Sequence, residues 1–181
     1  MRALKISTRD LAALSLCAAL YAAGSFITAY VESPWGHGQV RPAVALPAAF
    51  AVLFGPFVGG LGAGFGTLIA DSVKHGYIYP PSLFGAAPGN FVCFSIIGYV
   101  CRRRFTWIRF ILSTVVGFAL GSTLIAVALA SLGAIPYQVM TFVGAWVFVT
   151  GVVPIVILDP PILEACFRAF PQLRPPRNEN K

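Results

Sequence analysis

Apolar residues in this chain come in long blocks separated by short polar stretches. A helix crossing the hydrocarbon core of a bilayer needs about 20 mostly apolar residues. Blocks of this kind run at about 11–31, 40–54, 57–73, 83–101, 107–132 and 137–158. Irregular backbone cannot face lipid, so each block is expected to be helical. The pattern predicts an all-α membrane protein, a bundle of six transmembrane helices forming one domain over about 1–165. The second block is the shortest; it contains Pro47 and ends at the turn Gly55-Pro56. The first resembles a secretory leader, with Ala22-Ala23-Gly24 as a cleavage site. Its apolar residues continue through Phe26, Ile27 and Tyr30, however, which is too long for such a leader, so it is read as a retained span. The stretch 166–181, ending in "RPPRNENK", is polar and Pro-containing and is expected to be a disordered tail.

Composition supports the membrane reading. The chain is 57% hydrophobic and only 10% charged, with a mean hydropathy of +0.80. Soluble domains average about 45–50% apolar and about 25% charged residues. The net charge of +7 acquires meaning once its residues are placed. Six helices put Arg2, Lys5, Arg9, Arg102, Arg103, Arg104, Arg109, Arg168, Arg174, Arg177 and Lys181 at one end, and only Arg41 and Lys74 at the other. Basic residues accumulate on the cytoplasmic side. Both termini are therefore expected in the cytoplasm of a multi-pass plasma-membrane protein, and nucleic acid is not needed to explain the charge.

The same placement gathers polar chemistry at the outer end. "SPWGHGQVRP" carries Trp35, His37, Gln39 and Arg41 on alternate residues, and Asp71, His75, Tyr77, Tyr137 and Gln138 lie at that end too. A pocket opening outward follows. Plainer readings of these residues are an interfacial aromatic belt, a local Asp71–Lys74–His75 surface pair and an Arg41 beside Glu32 at the interface. No HExxH, G-x-S-x-G or Walker motif is present. The four cysteines (Cys17, Cys93, Cys101, Cys166) have no metal spacing and read as small packing residues. The expectation is neither an enzyme nor a metal or cofactor protein.

Small residues recur at four-residue spacing: Gly60/Gly64 and Gly62/Gly66 in the third block, and Gly117/Gly121 in the fifth. Such pairs let helix backbones approach closely in lipid. The first block carries Ala18/Ala22 and Ala19/Ala23, and Ser15 extends the second stripe. On spacing alone, these stripes serve either internal packing or contact with another membrane protein.

The succession of an alanine-rich first helix, "GQVRPAVALPAAFAVLFGPFVGGLGAGFGTLIAD" and then "APGNF" resembles the substrate-binding S components of energy-coupling factor (ECF) transporters over about residues 8–165. The resemblance implies a six-helix bundle that binds a vitamin or related micronutrient at its outer end. It also implies a membrane-embedded coupling subunit and two ATPase subunits as partners. In that family an AxxxA pattern on the first helix contacts the coupling subunit. Here the pattern falls on Ala18/Ala22, with Ser15, Ala19 and Ala23 as the other register. Ligand contacts in the family come from the outer loops and outer helix ends, which match Trp35, His37, Gln39, Arg41, Asp71, His75, Tyr77, Asn90, Tyr137, Gln138 and Trp146 here. Aromatic walls with a few placed polar groups suit a flat heterocycle. "GQVR" is similar to queuosine-precursor S components, and riboflavin, thiamine-pathway and cobalamin-type ligands stay open beside it. The alternatives are a solitary secondary transporter for a small organic molecule and a non-catalytic membrane subunit of a larger complex.

Overall fold

The computed structural model describes residues 7–31 and 39–176. Six α-helices follow one another: α1 Thr8–Ile27, α2 Ala45–Phe54, α3 Pro56–His75, α4 Ala87–Arg103, α5 Trp107–Ser131 and α6 Met140–Ala169. There are no strands among the described residues. Ser7 opens α1 with a capping box, its hydroxyl accepting from the Asp10 amide while the Asp10 carboxylate accepts from the Ser7 amide. A 3₁₀ turn at Pro42–Val44 leads into α2, and a π turn at Ser82–Ala86 leads into α4.

Thr8–Ile27, Ser82–Arg103, Trp107–Ser131 and Tyr137–Ala169 are each long and apolar enough to cross a membrane. With 20 residues, α3 has the length, but its glycines dilute its hydropathy. The second predicted span is the shortest of the helices. Pro42–Phe54 rises only about 20 Å at 1.5 Å per residue, short of the ~30 Å hydrocarbon core. Its apolarity has another cause, because Ala48, Ala51 and Val52 are completely buried where α2 packs among α1, α3, α4 and α6. Pro47 is tolerated in its first turn, where a missing N–H breaks no helical bond.

Glycines set the closeness of the packing. A Cβ on Gly62 would meet the Cys17 side chain, and one on Gly66 would meet Tyr21 and the Ala18 carbonyl, so this register seats α3 on α1. The Gly60/Gly64 register faces α4 instead, at Phe91 and Ala87, and Gly117/Gly121 of α5 faces Cys93 and Gly89 of α4. Each four-residue pair serves one neighbour, as close packing in lipid requires. Gly55, at φ 108°, makes the tight turn between α2 and α3 in a conformation that side chains disfavour.

The chain's C-terminal part differs from expectation. Despite Pro154, Pro160 and Pro161, α6 continues to Ala169, and a 3₁₀ turn follows at Pro171–Leu173. Phe167 and Leu173 belong to the main core cluster, and the Phe105 amide donates to the Pro176 carbonyl. Residues 166–176 are therefore packed structure rather than a disordered tail, since burial of Leu163 and Phe167 holds the helix past its prolines. At this end Arg102 donates to the Leu53 carbonyl, and Arg9, Arg103 and Arg174 lie over the rings of Phe54, Tyr99 and Phe167. The opposite end, where α3 finishes and α4 begins, holds the cavity.

Candidate functional site

Half-length α2 leaves space above its N-terminus, and a cavity occupies it. The cavity offers about 140 Å³ to the centres of water molecules, where one water needs only about 10–15 Å³. It is molecule-sized rather than a packing defect. Its walls come from the start of α2, the ends of α3 and α5, the connection into α4, and the first turns of α6. The lining is part apolar, with Val44, Phe118, Ile125, Leu129 and Val147, and part polar, with Gln39, Arg41, Asp71, His75, Ser82 and Asn90.

The polar part is a connected network. Arg41 Nη2 donates to Asp71 Oδ1 at 2.9 Å, with the two side chains only 17% and 11% exposed. The Ser82 hydroxyl donates to Asp71 Oδ2 at 2.6 Å, placed there by the π turn; π turns recur at functional sites. With its Oε1 facing Arg41, Gln39 accepts from Nε at 2.6 Å and Nη2 at 2.9 Å, and its Nε2 donates to the Ala29 carbonyl at 2.9 Å. The opposite amide orientation would set donor against donor. Lys74 Nζ donates to the same carbonyl at 2.9 Å. His75 Nδ1 donates to the Asp71 carbonyl at 2.8 Å. A carbonyl only accepts, so this nitrogen carries the proton. The His75 ring stacks on Tyr79, centroids 4.1 Å apart.

Nearly buried ions are stable only when their remaining hydrogen-bonding positions are filled, as they are here on both oxygens of Asp71. The pair is neutral as a unit. Asp71 is also the one carboxylate among the described lining residues, so no free negative charge is left to balance a cationic ligand. Tyr21 lines the cavity from α1, with its hydroxyl buried and lacking a hydrogen-bond partner.

Of the sequence-nominated residues, Gln39, Arg41, Asp71, His75 and Asn90 come together around this cavity. Trp35 and His37 lie outside the described residues. Tyr77, Tyr137 and Gln138 are exposed and Trp146 is half-buried, and none of the four lines the cavity. Tyr137 and Gln138 open the 3₁₀ turn at Tyr137–Val139, of which no residue is buried. Tyr77 packs only edge-on to His75 and Tyr79. Lys74 and Tyr79, from the same outer-end stretch, line the cavity as well, and so do Ser82 and Tyr21, which the sequence did not single out. Nothing in the alanine-rich first block marks Tyr21, and nothing in "PPSLFG" marks Ser82.

The two alanine registers of α1 separate. Ala18 and Ala22 are buried, with the Ala18 backbone against α3 at Gly62 and Gly66. The assignment of that register to the coupling subunit is corrected, because the chain itself occupies the face. Ser15, Ala19 and Ala23 are exposed. Among the described residues no three His, Cys, Asp or Glu side chains converge as a metal site.

Helices apolar enough to span a bilayer, with a part-polar cavity at one end, fit a membrane protein that binds a small molecule. The chain matches the family model for the ECF-type riboflavin transporter, S component, over residues 5–165, and it belongs to that family. It is thus a transporter subunit of a non-enzymatic family. No curated protein and no solved structure matches it.

Proposed function

We propose that this chain captures an uncharged or anionic vitamin-class heterocycle from outside the cell and passes it inward through an ATP-driven coupling module. The observation that carries this reading is the cavity, lined by a neutralised Arg41–Asp71 pair together with apolar side chains. An apolar pocket with a few fixed polar groups recognises a flat, polar-edged molecule. Riboflavin, named in the family's description, has that character, whereas a permanent cation such as thiamine would meet no free carboxylate among the described lining residues.

The excess of arginine at the end opposite the cavity supports a cytoplasmic location for that end in the plasma membrane. The cavity then opens outward. The chain has no nucleotide-binding motif of its own, so the energy comes from partners, a membrane coupling subunit and two ATPases. The exposed Ser15, Ala19 and Ala23 face on α1 is the small-residue surface left for that subunit.

The test is uptake of labelled riboflavin into cells lacking their own flavin transport. Uptake is expected only when this chain is expressed with a coupling module whose ATPases are intact. Uptake by the chain alone would favour a solitary secondary transporter instead.

A further inference from the structure

We propose that Asn90 recognises an N–H donor beside an acceptor on the ligand, so that the cargo is a heterocycle with a cyclic-amide edge. This rests on reading the cavity as the ligand site. Asn90, on the first turn of α4, is 6% exposed and lines the cavity. Its Nδ2 donates to Thr67 Oγ1 at 2.7 Å, and the Thr67 hydroxyl donates in turn to the Ala63 carbonyl at 2.8 Å. A hydroxyl has one hydrogen. With that hydrogen on Ala63, the Thr67 oxygen only accepts, and this fixes which end of the Asn90 amide faces it.

The rest of the Asn90 amide is unused. Its Oδ1 accepts from no described residue, and its second N–H has no acceptor among them. An amide edge with one free acceptor and one free donor is complementary to a group presenting donor and acceptor side by side, as asparagine pairs with adenine in nucleic-acid recognition. Asn90 is nearly buried, and exclusion of water strengthens such a pair. One turn further along α4, Phe94 meets the rings of Tyr21 and Phe118 edge-on. Tyr21 also lines the cavity, with its hydroxyl buried.

The probes are riboflavin and N3-methylriboflavin, titrated into the full purified chain with flavin fluorescence as readout. Methylation removes the ring N–H and leaves the neighbouring carbonyls. A site built around that donor leaves its own acceptor unpaired on the methylated compound. The methylated flavin is expected to bind at least about tenfold more weakly, or about 1.4 kcal/mol, and Asn90→Leu should bring the two affinities together. Equal binding of both flavins by the unmodified chain would overturn the proposal without requiring any variant to fold. So would discrimination that survives Asn90→Leu. If neither flavin binds, the flavin reading of the cavity fails, and the same comparison is made with pterin and 3-methylpterin. Tighter binding of pterin would then sustain the cyclic-amide inference, and equal or absent binding would end it.

Discussion

Asp71→Asn removes one charge from the cavity wall while keeping the side chain's shape. In the unaltered chain, Arg41 Nη2 lies 2.9 Å from Asp71 Oδ1 and the side chains are 17% and 11% exposed. Breaking a fully buried ion pair from one side costs about 3–5 kcal/mol, because the partner is left charged and unpaired. Residual exposure and the two bonds from Arg41 to Gln39 reduce that penalty, so roughly 2–3 kcal/mol is expected here. For a chain of this size, that corresponds to a fall in Tm of about 4–12 °C, at roughly 2–4 °C per kcal/mol. Arg41→Met alone should destabilise comparably by stranding the carboxylate. Arg41→Met with Asp71→Asn should be milder than the sum, with a coupling of about 1–3 kcal/mol. The assay is thermal unfolding of the four proteins in one detergent, followed by helical circular dichroism. Additive losses, or an Asp71→Asn chain as stable as the original, would refute the idea that the pair is stabilised as a unit.

Three further outcomes follow. Ala19→Trp or Ala23→Trp should abolish energised uptake and leave ligand binding by the purified chain intact, whereas Ala22→Trp, at a buried position, should impair folding; equal folding defects in all three would contradict an external docking face. Gly98→Ala places a Cβ 2.6 Å from Pro56 Cα, a backbone neighbour that cannot swing away; thermal unfolding should show a loss of about 1–3 kcal/mol, as overpacking does, and an unchanged Tm would contradict the contact. Single cysteines replacing the exposed Gln138 and Arg104, in a cysteine-free background, should label from outside cells at 138 only; external labelling at 104 would reverse the orientation.

Much of the fold was legible because hydropathy and helix length are linked by bilayer thickness. All six helices were anticipated, and the glycine pairs do mark close contacts. Hydropathy could not distinguish a lipid-facing span from a helix buried in protein, so the length and burial of α2 were not legible in it. The last apolar block was read as ending at 158, but the burial of Leu163 and Phe167 carries α6 past Pro160 and Pro161. At the site, Gln39, Arg41, Asp71, His75 and Asn90 stood out because polar residues are rare in this chain. The exposed Tyr137 and Gln138 stood out for the same reason, and rarity alone cannot tell a cavity wall from its rim. Ser82 was hidden because its role depends on a π turn that no local motif announces. Spacing likewise left both alanine registers open, and only the packing of α3 shows which one the chain uses itself.

The central claim is that this chain alone holds a vitamin-class heterocycle that is not a cation. Native mass spectrometry of the purified full chain, incubated with an equimolar mixture of water-soluble vitamins, tests it most directly. The expected spectrum shows one uncharged or anionic heterocycle per chain and no thiamine adduct, with the adduct reduced in Asn90→Leu. A stoichiometric thiamine adduct, or no vitamin bound at all, would contradict the account.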